Sequence, residues 1–305
     1  MKKFLIRLLL FLCMMIVFDR AFGIVIEYMQ THATGGYTKH HKHIAYETTE
    51  DVLIFGSSRA IHHYNPSIIA DSLKLSCYNC GQDGNGIILF YGWWQLIKQR
   101  YSPKIIIYDV TPNFDLLKGE DNHKYLGWLR SEYDNASIKS IFGEIDKTEK
   151  YKMISMLYRY NSNFLQDVVD YAHPVFQISA DGYLPLKGKL DKMKIKKNKS
   201  SEKKDYEIDT VKVSYLEKLI LETKTEGVKL YFSISPTWYG MDVESMAALR
   251  ELCSKHKVPL LDYSNNLLFV KQDVMFRDGN HLNSHGADVF TSQLAEEILN
   301  RKEKI

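Results

Sequence analysis

Residues 51–60 read Asp-Val-Leu-Ile-Phe-Gly-Ser-Ser-Arg-Ala. The apolar run Val52 to Phe55, closed by Gly56, predicts a short strand buried on both faces, since a half-exposed strand would alternate with polar residues. Ser57, Ser58 and Arg59 then stand at a sharp strand-to-helix turn. Asn65-Pro66 follows, an N-cap residue before a proline at the first helical position, and opens a helix through Leu73.

The same alternation spreads outward. Leu75–Tyr78 reads as a second strand and Asn79–Gly86 as a glycine-rich turn. Ile87–Arg100 reads as a helix and Lys104–Val110 as a third strand, rich in β-branched residues. It resumes after residue 205 with a helix over Asp209–Thr225, a strand over Val228–Ser235, a helix over Val243–His256 and a strand over Pro259–Tyr263. A closing helix over Ser284–Asn300 has Ser284 as its N-cap. Strands alternating with helices imply an α/β fold, a three-layer α/β/α sandwich around a mostly parallel sheet. Ligands of such sheets bind beyond the carboxyl ends of the strands, so chemistry is expected in the turns after Phe55, Tyr78, Val110, Ile234 and Tyr263. Residues 115–205 interrupt the pattern. Their aromatic, helix-rich part (Tyr151–Tyr171) reads as a helical insertion capping the site, and Lys187–Lys204 as a solvated loop.

With 45% hydrophobic and 25% charged residues, the 305-residue chain is neither disordered, collagen-like nor polytopic. A net charge of +3, from 40 Lys+Arg against 37 Asp+Glu, leaves no basic surplus for a nucleic-acid partner. Four cysteines in this length make no disulfide scaffold. Cys77 and Cys80 form a CxxC pair with no second pair or nearby histidines, so they read as ordinary residues beside a strand, and no metal is predicted. His32, His40, His41 and His43 lie in a Gly-, Thr- and Lys-containing stretch, residues 27–50, that reads as a solvated linker.

Met1-Lys2-Lys3, Arg7 and the apolar run Leu8–Phe18 have the pattern of a secretory signal or signal anchor. The run is shorter than the roughly 20 residues of a membrane span, and reaches Ile26 only by accepting Asp19 and Arg20. Ala21-Phe22-Gly23 offers a small-x-small cleavage site. An uncleaved transmembrane anchor over residues 1–26 is the preferred reading, with its basic end in the cytoplasm and the rest exported. Residues 51–305 then form one domain with its insertion at about 115–205.

The chemistry sits at the two ends of that domain. Ser58 is exposed at the first turn, and Arg277-Asp278-Gly279-Asn280-His281 precedes the last helix. A serine nucleophile needs a base for its proton, and the base needs a carboxylate to hold its tautomer; Asp278 and His281 can supply both from one loop. No GxGxxG is present after the first strand, which excludes a dinucleotide loop. His62 and His63 read as helix-surface residues, with a place in the pocket lining as the alternative, and Asp109 reads as a strand-end polar residue.

A serine after the first strand and Asp-x-x-His before the last helix resemble the SGNH (GDSL-like) hydrolase superfamily. The resemblance implies Ser58 as nucleophile, Asp278 and His281 as its partners, and an oxyanion hole from the N–H groups of Ser58 and Gly84 and the Asn113 amide. It departs from the family at Ser57, where Asp is usual, which makes Ser57 the runner-up nucleophile, and at Thr111-Pro112-Asn113. Both departures are similar to a membrane-anchored branch associated with cell-envelope acylation. The implied activity is ester hydrolysis or acyl, notably acetyl, transfer on an envelope polysaccharide, without a cofactor. The implied partners are an acylated glycan or acyl donor and a membrane-bound acyltransferase. The alternative is a catalytically silent cleft that binds glycan or such an acyltransferase.

Overall fold

Val52–Gly56 forms a strand, β1, in which every residue is buried. In the computed structural model, which describes residues 1–191 and 206–302, β1 lies inside a five-stranded, all-parallel sheet. The others are β2 (Cys77–Asn79), β3 (Ile105–Asp109), β4 (Lys229–Ile234) and β5 (Leu260–Asp262), in the order β2-β1-β3-β4-β5. The chain steps from β1 outward to β2 and then crosses back to β3. The strand order therefore reverses between β1 and β3, where an open α/β sheet leaves a crevice. Gly56 stands opposite Asp109, and Asp109 opposite Ser233, so the carboxyl ends of three strands finish level.

Side-chain alternation divides the core into two layers. Val52, Ile54, Ile105, Ile107, Tyr231 and Leu261 pack with Ile69 and Leu73 of the helix Pro66–Leu73 and with Phe290, Leu294 and Ile298 of the closing helix Ser284–Lys302. On the other face Phe55 and Tyr108 meet Phe90 at ring-centroid distances of 6.0 and 5.7 Å. Phe90 belongs to the helix Ile87–Ile97, buried along its whole length between the sheet and the helix Thr210–Thr225. Each fully buried side chain of this size contributes roughly 1.5–3 kcal/mol. Cys77 and Cys80 are buried, unbridged residues at the β2 edge.

Gly56 ends β1 with φ +137°, and a Cβ there would lie 2.6 Å from the Asp109 carbonyl oxygen. Only glycine fits this turn. Asn65 caps the helix that follows by accepting from the Ser67 N–H, as its sequence position predicts. The closing helix is capped one residue earlier than expected: the Asn283 side chain, not that of Ser284, accepts from Gly286 N–H. Asn283 has its amide committed to the Val274 and Phe276 carbonyls, which fixes it for that role.

The chain divides into two units, and the division differs from the sequence reading. The sheet unit comprises residues 47–121 and 178–305; residues 1–46 group with 122–177. The insertion is helical, as expected, with helices at Ala136–Ile145, Met156–Tyr160 and Phe164–Ala172. Residues 27–50 are not a solvated linker. The first helix runs from Lys2 to Thr31, and Gly36–Lys42 and His43–Glu47 are helical as well. His40 and His41 are buried. Thr38 donates its N–H to Asp170 and its hydroxyl to Asp167, while His41 faces Glu132 at 3.5 Å. These partners lie about a hundred residues away or more, so local composition gives no hint of them. The helix Lys2–Thr31 is long and apolar enough to cross a membrane, a test that signal sequences also pass. Of the lysine-rich stretch Lys187–Lys204, residues 192–204 lie outside the described residues.

Candidate active site

Ser58, at the first position of a short helix (Ser58–His63) straight after β1, lies 2.8 Å through its Oγ from His281 Nε2. His281 Nδ1 is 3.0 Å from each Asp278 carboxylate oxygen. A carboxylate only accepts, so Nδ1 carries the proton and Nε2 is left to accept the Ser58 hydroxyl proton. Residues 223 positions apart thus form one chain of hydrogen bonds. Burial pushes the Asp278 carboxyl up, but the bond and charge of His281 and the N–H groups of Asn280 and His281 outweigh it and leave it at about 2. Asp278 is an anion throughout the neutral range.

The Asp278–His281 turn is rigid for local reasons. Asp278 Oδ1 accepts from the N–H of Asn280 at 2.8 Å and of His281 at 3.0 Å, and the turn is closed by a bridge between Phe276 and Leu282. Gly279 passes so close to Tyr239 that a Cβ would come within 2.4 Å of its ring, and its carbonyl accepts the Trp238 N–H.

The expectation for His62 and His63 fails. Both are buried, and both rings lie edge-on to His281, with centroids 5.6 and 6.1 Å away. His63 Nε2 accepts the Leu282 N–H at 3.0 Å, which requires a neutral ring whose Nδ1–H donates to Ser235 Oγ at 3.2 Å. Burial, with His281, Arg59 and His62 nearby, holds its pKa well below the ordinary 6.5. His62 has the opposite charge preference. Its Nδ1 donates to the Leu184 carbonyl at 2.6 Å and its Nε2 lies 3.2 Å from Asp83. Burial disfavours its cation, but Asp83 and the carbonyl prevail and its pKa is raised. Sequence reasoning missed both roles, because His62 and His63 occupy a six-residue helix that has no solvent face.

Asp109 and Arg59 close the floor beneath Ser58. Asp109 is fully buried at the end of β3, accepts from Tyr64 Oη and Ser235 N–H at 2.8 Å each, and faces Arg59 Nε at 3.4 Å. Arg59 also donates to the Ser235 carbonyl at 3.1 Å, the Val110 carbonyl at 2.5 Å and Thr111 Oγ1 at 3.1 Å. This ties the ends of β1, β3 and β4 together, a structural role that agrees with reading Asp109 as a strand-end residue.

Asn113 is exposed beside the same cleft as Ser58 and His281. Two buried residues absent from the sequence reading hold its turn. Lys212 Nζ donates to the Asn113 carbonyl at 2.9 Å and the Leu117 carbonyl at 2.7 Å. Asp115 accepts from Ile87 N–H at 2.8 Å, Tyr108 Oη at 2.7 Å and Thr111 N–H at 2.6 Å. Burial raises the Asp115 carboxyl to about 7 against those three bonds. Gly84 has φ +66° in the turn after β2, next to Asp83, and does not line the cleft. Ser57 is fully buried with its Oγ unpaired, and the serine that His281 bonds is Ser58.

The cleft has a volume of about 1000 Å³ and opens at the carboxyl ends of the strands. Its lining joins Ser58, His281 and Asn113 to Tyr206, Tyr239 and Asn280, all from the sheet unit. An activated hydroxyl and exposed amides at one mouth suit attack on a carbonyl carbon.

No family model matches the chain, and no curated protein matches it. Among solved structures, the crystal structure of an acetyl xylan esterase, AlAXEase, aligns over 82% of this chain and 98% of its own, with 11% identity and a TM-score of 0.38. Similarity at that level carries no functional argument, and the chemistry rests on the arrangement of Ser58, His281 and Asp278.

Proposed function

We propose that the chain is a serine esterase of the SGNH type, acting on a small acyl ester of a carbohydrate. The observation that carries this reading is the unbroken series Asp278–His281–Ser58 at the β1/β3 switch point. Ser58 Oγ attacks the ester carbonyl carbon while His281 Nε2 takes the hydroxyl proton, and Asp278 stabilises the resulting imidazolium. The Ser58 N–H and the Asn113 amide stabilise the oxyanion, and Gly84, outside the cleft lining, is left out of this role. The tetrahedral intermediate expels the alcohol, which receives the proton from His281, and leaves an acyl-enzyme at Ser58. A second hydroxyl, of water or of a sugar, attacks that ester by the reverse path and regenerates Ser58. The tyrosine rings and amides of the cleft favour a sugar over a long acyl chain. An N-terminal helix fit to cross a membrane supports envelope glycan as substrate and a membrane-bound acyltransferase as donor partner.

The test uses the full-length chain in detergent, with a fluorophosphonate probe and p-nitrophenyl acetate. Ser58→Ala should lose both labelling and turnover, and Ser57→Ala should keep them. Reversed phenotypes would make Ser57 the nucleophile. No labelling of the unsubstituted chain would leave a silent binding cleft. Mass spectrometry of added envelope oligosaccharide then separates transfer, seen as acetylated sugar, from release of free acetate.

A further inference from the structure

The first helix carries an uninterrupted run of exposed apolar residues from Leu8 to Phe18, which Asp19 and Arg20 break before Ile24 and Val25 expose apolar surface again. In sequence these two charges obstruct a membrane span, yet in the fold they are fasteners. Asp19 accepts from Ser155 Oγ at 2.6 Å and from the N–H groups of Met156 and Leu157 at 3.0 Å each. Arg20 donates to the Ile154 carbonyl at 2.8 Å. One turn on, Phe22 meets Phe164 at 5.5 Å, and Gly23 lies so close to Met156 that a Cβ would come within 2.7 Å. Residues 19–23 are therefore built into the unit formed with residues 122–177.

The segment held by this clasp shows an amphipathic outer surface. Tyr151 and Ile154 are 66% and 63% exposed, and the Lys150 ammonium sits 4.9 Å over the Tyr151 ring. From Phe4 to Phe18 the helix rises only about 22 Å, at roughly 1.5 Å per residue. The hydrocarbon core of a bilayer is about 30 Å thick. A span shorter than its bilayer draws its flanks into the interface. At one end Lys2, Lys3 and Arg7 can extend to the headgroups. At the other end the flank is Asp19–Arg20 together with the segment those residues grip. Tyrosine and lysine side chains favour that depth.

We infer that Lys150–Ile154 is an interfacial foot that rests in the lipid headgroup layer, and that Asp19 fixes this foot to the membrane-spanning helix. The leader is then retained, because cleavage at Ala21-Phe22-Gly23 would remove the clasp. The inference is independent of the esterase reading.

The test uses the chain carrying Cys13→Ser together with Ile154→Cys or, as control, Leu267→Cys at a position 84% exposed in the sheet unit. The three remaining cysteines are buried and do not compete for label. Each protein is labelled with the environment-sensitive fluorophore NBD and placed in phosphatidylcholine–phosphatidylglycerol nanodiscs containing spin-labelled lipid. The label at 154 should shift to the blue and be quenched about threefold more than the label at 267, as an interfacial position requires. A label at 154 as water-exposed as that at 267 overturns the foot. Asp19→Ala should abolish the extra quenching while the helix still resists carbonate extraction. Unchanged quenching overturns the clasp, and an intact mass lacking the residues before Ile24 overturns leader retention.

Discussion

His63 Nε2 accepts the backbone N–H of Leu282 across 3.0 Å, so the short helix that opens with Ser58 ends by holding the residue next to His281. One element thereby sets both partners of the Ser58–His281 bond, through a fully buried ring. Ser235 and Thr291 hold His63 in turn, through its ring and its carbonyl.

Replacing His63 should loosen the base without touching the nucleophile. His63→Leu leaves the Leu282 N–H and the Ser235 hydroxyl unpaired in a buried place, at a cost of about 1–3 kcal/mol for each such group. His63→Gln retains an acceptor and should recover part of the loss. Thermal melts together with kcat for the ester substrate check this. Equal stability and turnover in all three proteins would refute the anchoring role.

The adjacent histidines should show opposite pH signatures. The folded pKa of His63 is below its unfolded value, so the unfolded state binds more protons and stability falls as pH drops below about 6.5. His62 is raised, so its contribution is complete below about 6.5 and is lost as pH rises through its folded pKa. Denaturant titrations from pH 5 to 8 should therefore find the cost of His62→Gln largest at low pH. The cost of His63→Gln should shrink as pH falls.

Removing the base should be far costlier than removing its support. His281→Ala should lower kcat by several orders of magnitude, and Asp278→Asn by less, since the imidazole survives in poorer orientation. Asp278 also has a stability signature. Its carboxyl lies at about 2 in the fold against an ordinary 3.8, so its stabilisation is present above 3.8 and is lost as pH falls toward 2. The stability gap between the parent and Asp278→Asn should close over that window in acid unfolding curves.

Asn113 and Asp115 separate chemistry from support. Asn113→Ala removes an exposed amide, so the melting temperature should hold while kcat falls roughly 10²–10³-fold, the usual loss for one oxyanion donor. Asp115→Ala orphans the Ile87 and Thr111 N–H groups and the Tyr108 hydroxyl, and should lower both the melting temperature and kcat. An Asn113→Ala protein with full kcat would remove the amide from the oxyanion hole.

By itself the sequence determined what short-range chemistry controls. The apolar runs of β1 and β3, the glycine at position 56 and the Asn65-Pro66 helix start each follow from a few consecutive residues, and the Asp278 turn is closed by its own side chain. Strands alternating with helices then leave a parallel sheet as the consistent packing, and put Ser58 at its carboxyl edge. Only the tertiary structure decided which partners the buried polar groups find. His41 faces Glu132, Asp19 reaches Ser155 and Asp115 reaches Ile87, across separations that no window of residues spans. The same holds for His62 and His63, which look like surface residues until the closing helix and the Leu282 strand-like bridge cover them. A charged or hydrogen-bonding side chain far from any partner in sequence reads as solvated. Burial creates the demand for a partner, and burial is a property of the folded chain.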